Sequence, residues 1–382
     1  MKIMTILGTR PEIIRLSGVI ALLDASADHV LVHTGQNFDD RLRGLFFREL
    51  GVREPDVHMG VRGASFAGQI GEILAGSEKL FLKYRPDRLL ILGDTNSGLS
   101  SIVARRLGIP VYHLEAGNRC FDDRVPEEVN RRVIDHSSTV LMPYTYRSRD
   151  NLIAEGIATE RILVTGNPMH EVMARFSSQI AASGILGELE VDPQKFFLVT
   201  MHRAENVDRE DRLRNAIATF LELHHEFGYP VIVSLHPRTA SKIQGFGLDV
   251  EQEGLRFLPP LGFFDFLHLE RNAFCVLTDS GTVQEEACLL RVPNVTLRDV
   301  TERPETLECG SNFLAGVEPA AVLAAVRFVT GRECSWSPPP EYLRTDVSAT
   351  VCRILLGYQR PDPAELEWRE GIPNKAVVAR CG

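Results

Sequence analysis

A chain of 382 residues is long for one ordinary core and fits two domains. Its 44% apolar and 24% charged content is that of a globular protein, and a net charge of −9 argues against nucleic acid or an anionic membrane as the main partner. An anionic small molecule stays open, because a local arginine cluster can hold one. The seven cysteines, Cys120, Cys275, Cys288, Cys309, Cys334, Cys352 and Cys381, form no C-x-x-C pair, and their odd, scattered arrangement argues against a zinc site or a disulfide framework. No apolar stretch approaches a membrane span. The opening run Met1–Gly8 is too short for a signal peptide, so the expected location is the cytoplasm.

In chain order, Ile3 to Leu7 reads as a buried strand, and Pro11 opens a helix that runs to about Asp24, with proline at its favoured first position. Val30 to Thr34 reads as a strand, Phe66 to Tyr84 as a helix, Leu89 to Leu92 as a strand and Ser97 to Leu107 as a helix. Val111 to Leu114 and Val140 to Met142 are strands around a helix at Glu127 to His136, and Arg147 to Glu155 and Ile162 to Thr165 complete a first series. Short, continuous apolar strands joined by helical crossovers mean a parallel sheet covered on both faces. The pattern restarts after Asn167-Pro168, with strands at Phe196 to Thr200, Val231 to Leu235, Arg256 to Leu258, Cys275 to Thr278 and Val295 to Leu297, and a last helix at about Thr345 to Leu356. The expected architecture is α/β: two Rossmann-like, doubly wound units over residues 1–168 and 169–358, with the tail 359–382 available to pack back on the first.

Chemistry in such folds collects where strands end and helices begin. Asp94 and Glu115 end neighbouring strands, in Gly93-Asp-Thr95 and His113-Leu-Glu-Ala-Gly117, and Glu127 and Glu128 open the next helix. Like carboxylates at adjacent strand ends repel, which raises one pKa and favours acid–base roles. The plain alternatives are an N-cap for Asp94 and stabilisation of a helix start for Glu127 and, above all, Glu128. Asn130 and Arg131 read equally well as a surface helix face. Gly8-Thr-Arg-Pro-Glu12 offers a tight turn, a helix N-terminus and Arg10 to an anion, but is neither a Walker loop nor a dinucleotide fingerprint. In the second unit, His202-Arg203 follows the first strand and suits phosphate. Thr278-Asp-Ser-Gly-Thr282 can present backbone N–H groups and hydroxyls, with Glu286 one turn further on to accept from ribose.

Taken together, Gly8–Glu12, Gly93–Thr95, His113–Gly117, Pro126-Glu-Glu128 with Asn130-Arg131, His202-Arg203 with Glu205-Asn206, Asp279-Ser-Gly281 with Gln284–Glu286, and Thr301-Glu-Arg-Pro-Glu305 resemble the non-hydrolysing UDP-N-acetylglucosamine 2-epimerase family. Each motif alone is weak; seven in register, spanning most of the chain, are specific. The resemblance implies a GT-B fold with UDP in a central cleft, a homodimer, no metal and no nicotinamide or other cofactor. It implies interconversion of UDP-GlcNAc and UDP-ManNAc by elimination and re-addition of UDP. By the same likeness Asp94, Glu115 and Glu127 serve proton transfer and sugar contacts. Arg10 and His202 meet the diphosphate with Ser280, Gly281 and Thr282, and Glu286 holds the ribose. Arg131, Arg203, Asn206 and Arg303 line the sugar or phosphate region.

The chain also departs from the family pattern. Arg15 stands where lysine is usual, Thr282 replaces a second glycine, and Gln36-Asn-Phe-Asp39 differs from the stretch that helps bind an activating second UDP-GlcNAc. The segment from Glu115 to Glu127 looks more like the branch that serves O-antigen and capsule sugars, whose members act on UDP-2,3-diacetamido glucuronic acid or 6-deoxy HexNAc substrates. Three rivals share the fold or the ligand: a hydrolysing 2-epimerase that releases ManNAc, a retaining GT-B glycosyltransferase, and a UDP-sugar sensor without activity.

Overall fold

The computed structural model describes residues 1–35, 40–63 and 65–358, of which 40–43 by their backbone alone. The expectations for Gln36–Asp39 and for the tail 359–382 therefore lie outside the described residues.

Among these residues the first unit holds six parallel strands: β1 (Lys2–Leu7), β2 (Asp28–His33), β3 (Val57–His58), β4 (Arg88–Leu92), β5 (Val111–Leu114) and β6 (Val140–Met142). They lie in the order β3-β2-β1-β4-β5-β6. The second unit repeats the plan with β7 (Phe197–Met201), β8 (Val231–Leu235), β9 (Leu255–Leu258), β10 (Cys275–Thr278), β11 (Asn294–Thr296) and β12 (Asn312–Leu314), ordered β12-β11-β10-β7-β8-β9. Read from its other edge this is the same winding as the first. In each sheet the strand order reverses once, between β1 and β4 and between β7 and β10, and the crevice outside the carboxyl ends of those parallel strands is where such sheets bind ligands.

The strands are apolar along their whole length because both faces are covered. Ile3 and Leu7 enter one core with Leu90, Leu92 and Leu114, while Met4 and Ile6, pointing the other way, join Leu89, Ile91 and Val111. The second sheet splits likewise, with Phe197, Val199 and Leu277 on one side and Phe196, Leu198 and Val276 on the other.

Several elements differ from the sequence reading. Ile162 to Thr165 forms only a single bridge, Ile162 to Leu141 beside β6, rather than a strand. The edge strands β3 and β12 and the helix Asp40–Glu49 were not anticipated; two- and three-residue strands carry too little pattern to read. Helix Val347–Gly357, placed by the sequence reading in the second unit, packs Val347, Val351, Cys352 and Leu355 into the first unit's core against the helix Arg10–Ser26. The return crossing thus precedes residue 358. A helix's sequence shows its apolar stripe but not the surface that stripe will meet.

Candidate active site

The first unit brings its acids to the sheet's carboxyl edge. After β4, Gly93 turns the chain at a φ of +71° and delivers Asp94. After β5, Glu115 itself sits at a φ of +70°, a left-handed conformation that a non-glycine residue rarely adopts. Such strain persists only where surroundings impose it. Here the Glu115 backbone N–H donates to Met142 O at 3.1 Å, and its buried carboxylate is held on both oxygens. Oε2 accepts from Arg15 and, at 3.3 Å, from the Tyr144 hydroxyl. Oε1 accepts from Arg303 and, at 3.2 Å, from Asn118. Burial alone would raise its pKa; the two guanidiniums outweigh burial and hold it below the usual range.

Asp94 behaves oppositely. Burial, with the charges of Glu127 and Glu115, pushes its carboxyl up even though Arg131 donates to it at 2.5 Å. Arg131 comes from the helix Pro126–Ser137, which starts with proline at its first position. On the same helix Glu128 is fully buried and accepts from the N–H groups of Cys120 and Phe121 at 3.0 and 3.1 Å, so it braces the loop after Glu115. Glu127 instead reaches outward to Arg203 of the second unit at 3.0 Å. Within β5, the His113 ring lies between Asp135 and the Gly93 carbonyl, at 2.8 Å from each, and fixes the two strand ends relative to one another.

In the second unit Asp279, following β10, clips the segment after β7. Its carboxylate accepts from the backbone N–H groups of His202 and Arg203 and from Asn206 Nδ2 at 3.1 Å. Asn206 Nδ2 also donates to Leu297 O at 2.8 Å, so these bonds hold the loop. The His202 ring stacks 5.3 Å from His236, and burial with the nearby Arg203 and Arg10 charges lowers its pKa, which favours the neutral imidazole. Arg10 lies over the Phe46 ring. Ser280 occupies the N-cap position of the helix Gly281–Leu290 without a side-chain capping hydrogen bond. A Cβ at Gly281 would come within 2.5 Å of a carboxylate oxygen of Glu302, a side chain itself paired with Arg298 and Arg203. Glu286 is buried and pushed up to about 8, chiefly by burial.

The two units meet in a ring of alternating charge. Arg15 donates to Glu115 and, at 2.5 Å, to Glu285 across the cleft. Arg303 donates to both Glu285 and Glu115, and Arg15 also reaches Thr282 Oγ1 at 3.1 Å. A second chain runs from Glu127 through Arg203 to Glu302, and on to Arg298. Of the residues singled out in the sequence, Glu115, Thr282 and Arg303 belong to the ring and Glu127 and Arg203 to the second chain, while Asp94 and Arg131 pair with one another within the first unit. His202, Asn206, Ser280 and Gly281 line the end of the second sheet, and Glu286 lies behind Glu285. The sequence reading missed Tyr144, Glu285 and Glu302 and gave no role to Arg15. Glu285 and Glu302 lay inside quoted motifs, but which of two adjacent glutamates turns to the cleft depends on helix phase.

Residues 21–356 match the family described as UDP-N-acetylglucosamine 2-epimerase. The chain is 39% identical over 350 residues to a UDP-N-acetylglucosamine 2-epimerase of Methanocaldococcus jannaschii, covering 89% of this chain and 95% of that protein. It is 37% identical over 337 residues to a UDP-2,3-diacetamido-2,3-dideoxy-D-glucuronate 2-epimerase of Pseudomonas aeruginosa, covering 87% and 93%. The crystal structure of the Methanocaldococcus jannaschii enzyme in complex with UDP-GlcNAc and UDP superposes with a TM-score of 0.89 at 37% identity, over 93% of this chain and 99% of that one. With two doubly wound units around one cleft and this likeness over nearly its whole length, the chain belongs to the UDP-N-acetylglucosamine 2-epimerase family.

Proposed function

We propose that the chain is a non-hydrolysing UDP-HexNAc 2-epimerase that inverts C2 by eliminating UDP and adding it back. The C2 hydrogen has no neighbouring ketone to acidify it, so direct abstraction would need a very strong base. Loss of UDP from C1 together with the C2 proton instead gives a neutral glycal. Protonation of C2 from the other face, with UDP returning to C1, completes the inversion. The observation that carries this reading is the cross-cleft network, in which acids of the first unit are paired with arginines of the second.

In this reading Asp94, whose carboxyl is pushed up, is suited to hold a proton near C2, and Glu115, kept ionised, takes the opposite part. Glu127 stands at the mouth and contacts the sugar. Arg10, Arg203, Arg303, neutral His202 and the helix start at Ser280–Thr282 stabilise the departing diphosphate. Glu286 holds the ribose, and Arg131 keeps Asp94 in place. The reading also takes residues up to about 168, with the returning helix Val347–Gly357, as the catalytic unit, and a homodimer in the cytoplasm as the working form; sedimentation velocity reads the assembly. Among the described residues no helix is long and apolar enough to cross a membrane. Likeness to the diacetamido-glucuronate enzyme makes modified UDP-HexNAc sugars candidates alongside UDP-GlcNAc.

Incubation of a UDP-sugar panel in deuterated water, followed by NMR, tests the proposal. The expected result is UDP-sugar carrying deuterium at C2, with both C2 epimers present. Accumulation of free ManNAc would establish the hydrolysing reaction instead. Transfer to an acceptor without exchange at C2 would mean a glycosyltransferase.

A further inference from the structure

Two thiols lie side by side directly behind the cross-cleft ring. Cys288 is on the helix Gly281–Leu290, one turn beyond Glu285, and Cys309 follows the helix Pro304–Glu308 that begins after Arg303. Their sulfurs are 3.8 Å apart. Both cysteines are reduced; Cys288 is buried, and Cys309 is half-buried between the exposed residues Glu308 and Gly310. The segments are already tied together: Gln284 Oε1 accepts from Thr301 at 2.7 Å and from Asn312 at 3.2 Å. Cys309 Sγ further contacts Ser311 Oγ at 3.4 Å and Thr306 O at 3.5 Å. The hydrogen bond from the Cys288 thiol lowers the Cys309 pKa to about 6, while Cys288 is raised. A low-pKa, partly accessible thiol beside a resolving thiol is the arrangement of a redox-sensitive pair.

We infer that Cys288 and Cys309 form a reversible disulfide under a two-electron oxidant such as hydrogen peroxide, and that this bond switches off the epimerase site. The Cys309 thiolate attacks one peroxide oxygen, the O–O bond breaks, and the released hydroxide takes up a proton as water, leaving a sulfenic acid. The Cys288 sulfur, giving up its proton, then attacks the oxidised sulfur. The S–S bond forms, the S–O bond breaks and a second water leaves, so two thiols and one peroxide become a disulfide and two waters. A disulfide needs its sulfurs about 2.05 Å apart. Closing the gap pulls the helix that carries Glu285 towards the segment that carries Arg303 and detaches Cys309 from Ser311 and Thr306. Arg303 holds Glu115 directly and Glu285 anchors both Arg303 and Arg15 on it, and displacements on the order of 1 Å in such a site cost up to about 100-fold in rate.

Peroxide titration of the intact enzyme, followed by a non-reducing peptide mass map and by turnover of UDP-GlcNAc, tests this. The expected result is a Cys288–Cys309 linked peptide, turnover lowered about 10-fold or more, recovery with dithiothreitol, and no peroxide sensitivity in Cys309→Ser. A map showing these two cysteines still reduced, or linked elsewhere, overturns the inference. So does a linked enzyme that turns over normally, or a Cys309→Ser enzyme that loses activity to peroxide like the parent. The mass map on the unmodified sequence decides the question even if Cys309→Ser folds poorly, and it does not depend on which reaction the site performs.

Discussion

Glu115 is a carboxylate with no proton to give and four donors around it, on a backbone that resists any side chain. The left-handed turn costs about 1–3 kcal/mol and is held by Arg15, Arg303, Asn118 and Tyr144. Glu115→Gln keeps the shape and removes the charge. We expect turnover to be abolished while UDP affinity stays within a few-fold, because the groups proposed to grip UDP, Arg10 excepted, lie in the other unit. Calorimetric titration with UDP beside an epimerisation assay checks this. A Gln variant that turns over normally would remove Glu115 from the chemistry, and one that no longer binds UDP would make it part of the nucleotide site. Residue identity was legible here, since a carboxylate at a strand end before Ala-Gly announces itself. Its partners were not: Arg15 sits on another element, and Tyr144 follows β6 with no motif around it.

At the level of elements, the helices Phe263–Asn272 and Gly281–Leu290 meet through a pair of acids. Both oxygens of the fully buried Glu270 lack a donor, and the group that faces them is the Glu286 carboxyl. The pair is satisfied only when a proton lies between them. Burial and mutual repulsion raise Glu270, and Glu286 is raised from 4.5 to about 8. Between those two values the folded state binds more protons than the unfolded chain, so stability falls as pH rises across the window. Glu270→Gln supplies a permanent donor to Glu286. Its urea midpoint should exceed that of the parent at pH 8, by about 1 kcal/mol in stability, and the gap should close towards pH 5. A gap independent of pH would show that no proton is shared. The sequence could not disclose this contact. Strands such as β5, β8 and β10 are read to the residue because a short apolar run between turn residues has few other uses. Glu270 looks like any polar residue on a helix, and only the packing of one helix on the other makes it buried.

At the scale of the whole molecule, the cleft is spanned by two arginines and two glutamates whose charges cancel: Arg15 and Glu115 from the first unit, Glu285 and Arg303 from the second. All four are buried, so the pairing is little screened by salt, and removing one charge leaves the others uncompensated. This gives the ring two tasks, holding Glu115 and holding the units together, and Glu285→Gln separates them. Glu285 touches Glu115 only through the arginines, so its loss leaves a surplus positive charge between the units. We expect the unliganded variant to open, with a radius of gyration measurably larger in X-ray scattering, and turnover to fall about 10- to 100-fold. Saturating UDP should return the scattering curve towards that of the parent if the diphosphate supplies the missing negative charge. An unchanged radius with reduced turnover would confine the ring to positioning Glu115 and leave the apolar contacts of Phe263 and Leu267 with the first unit's core to hold the units together. A variant unchanged in both would show that the network has neither task.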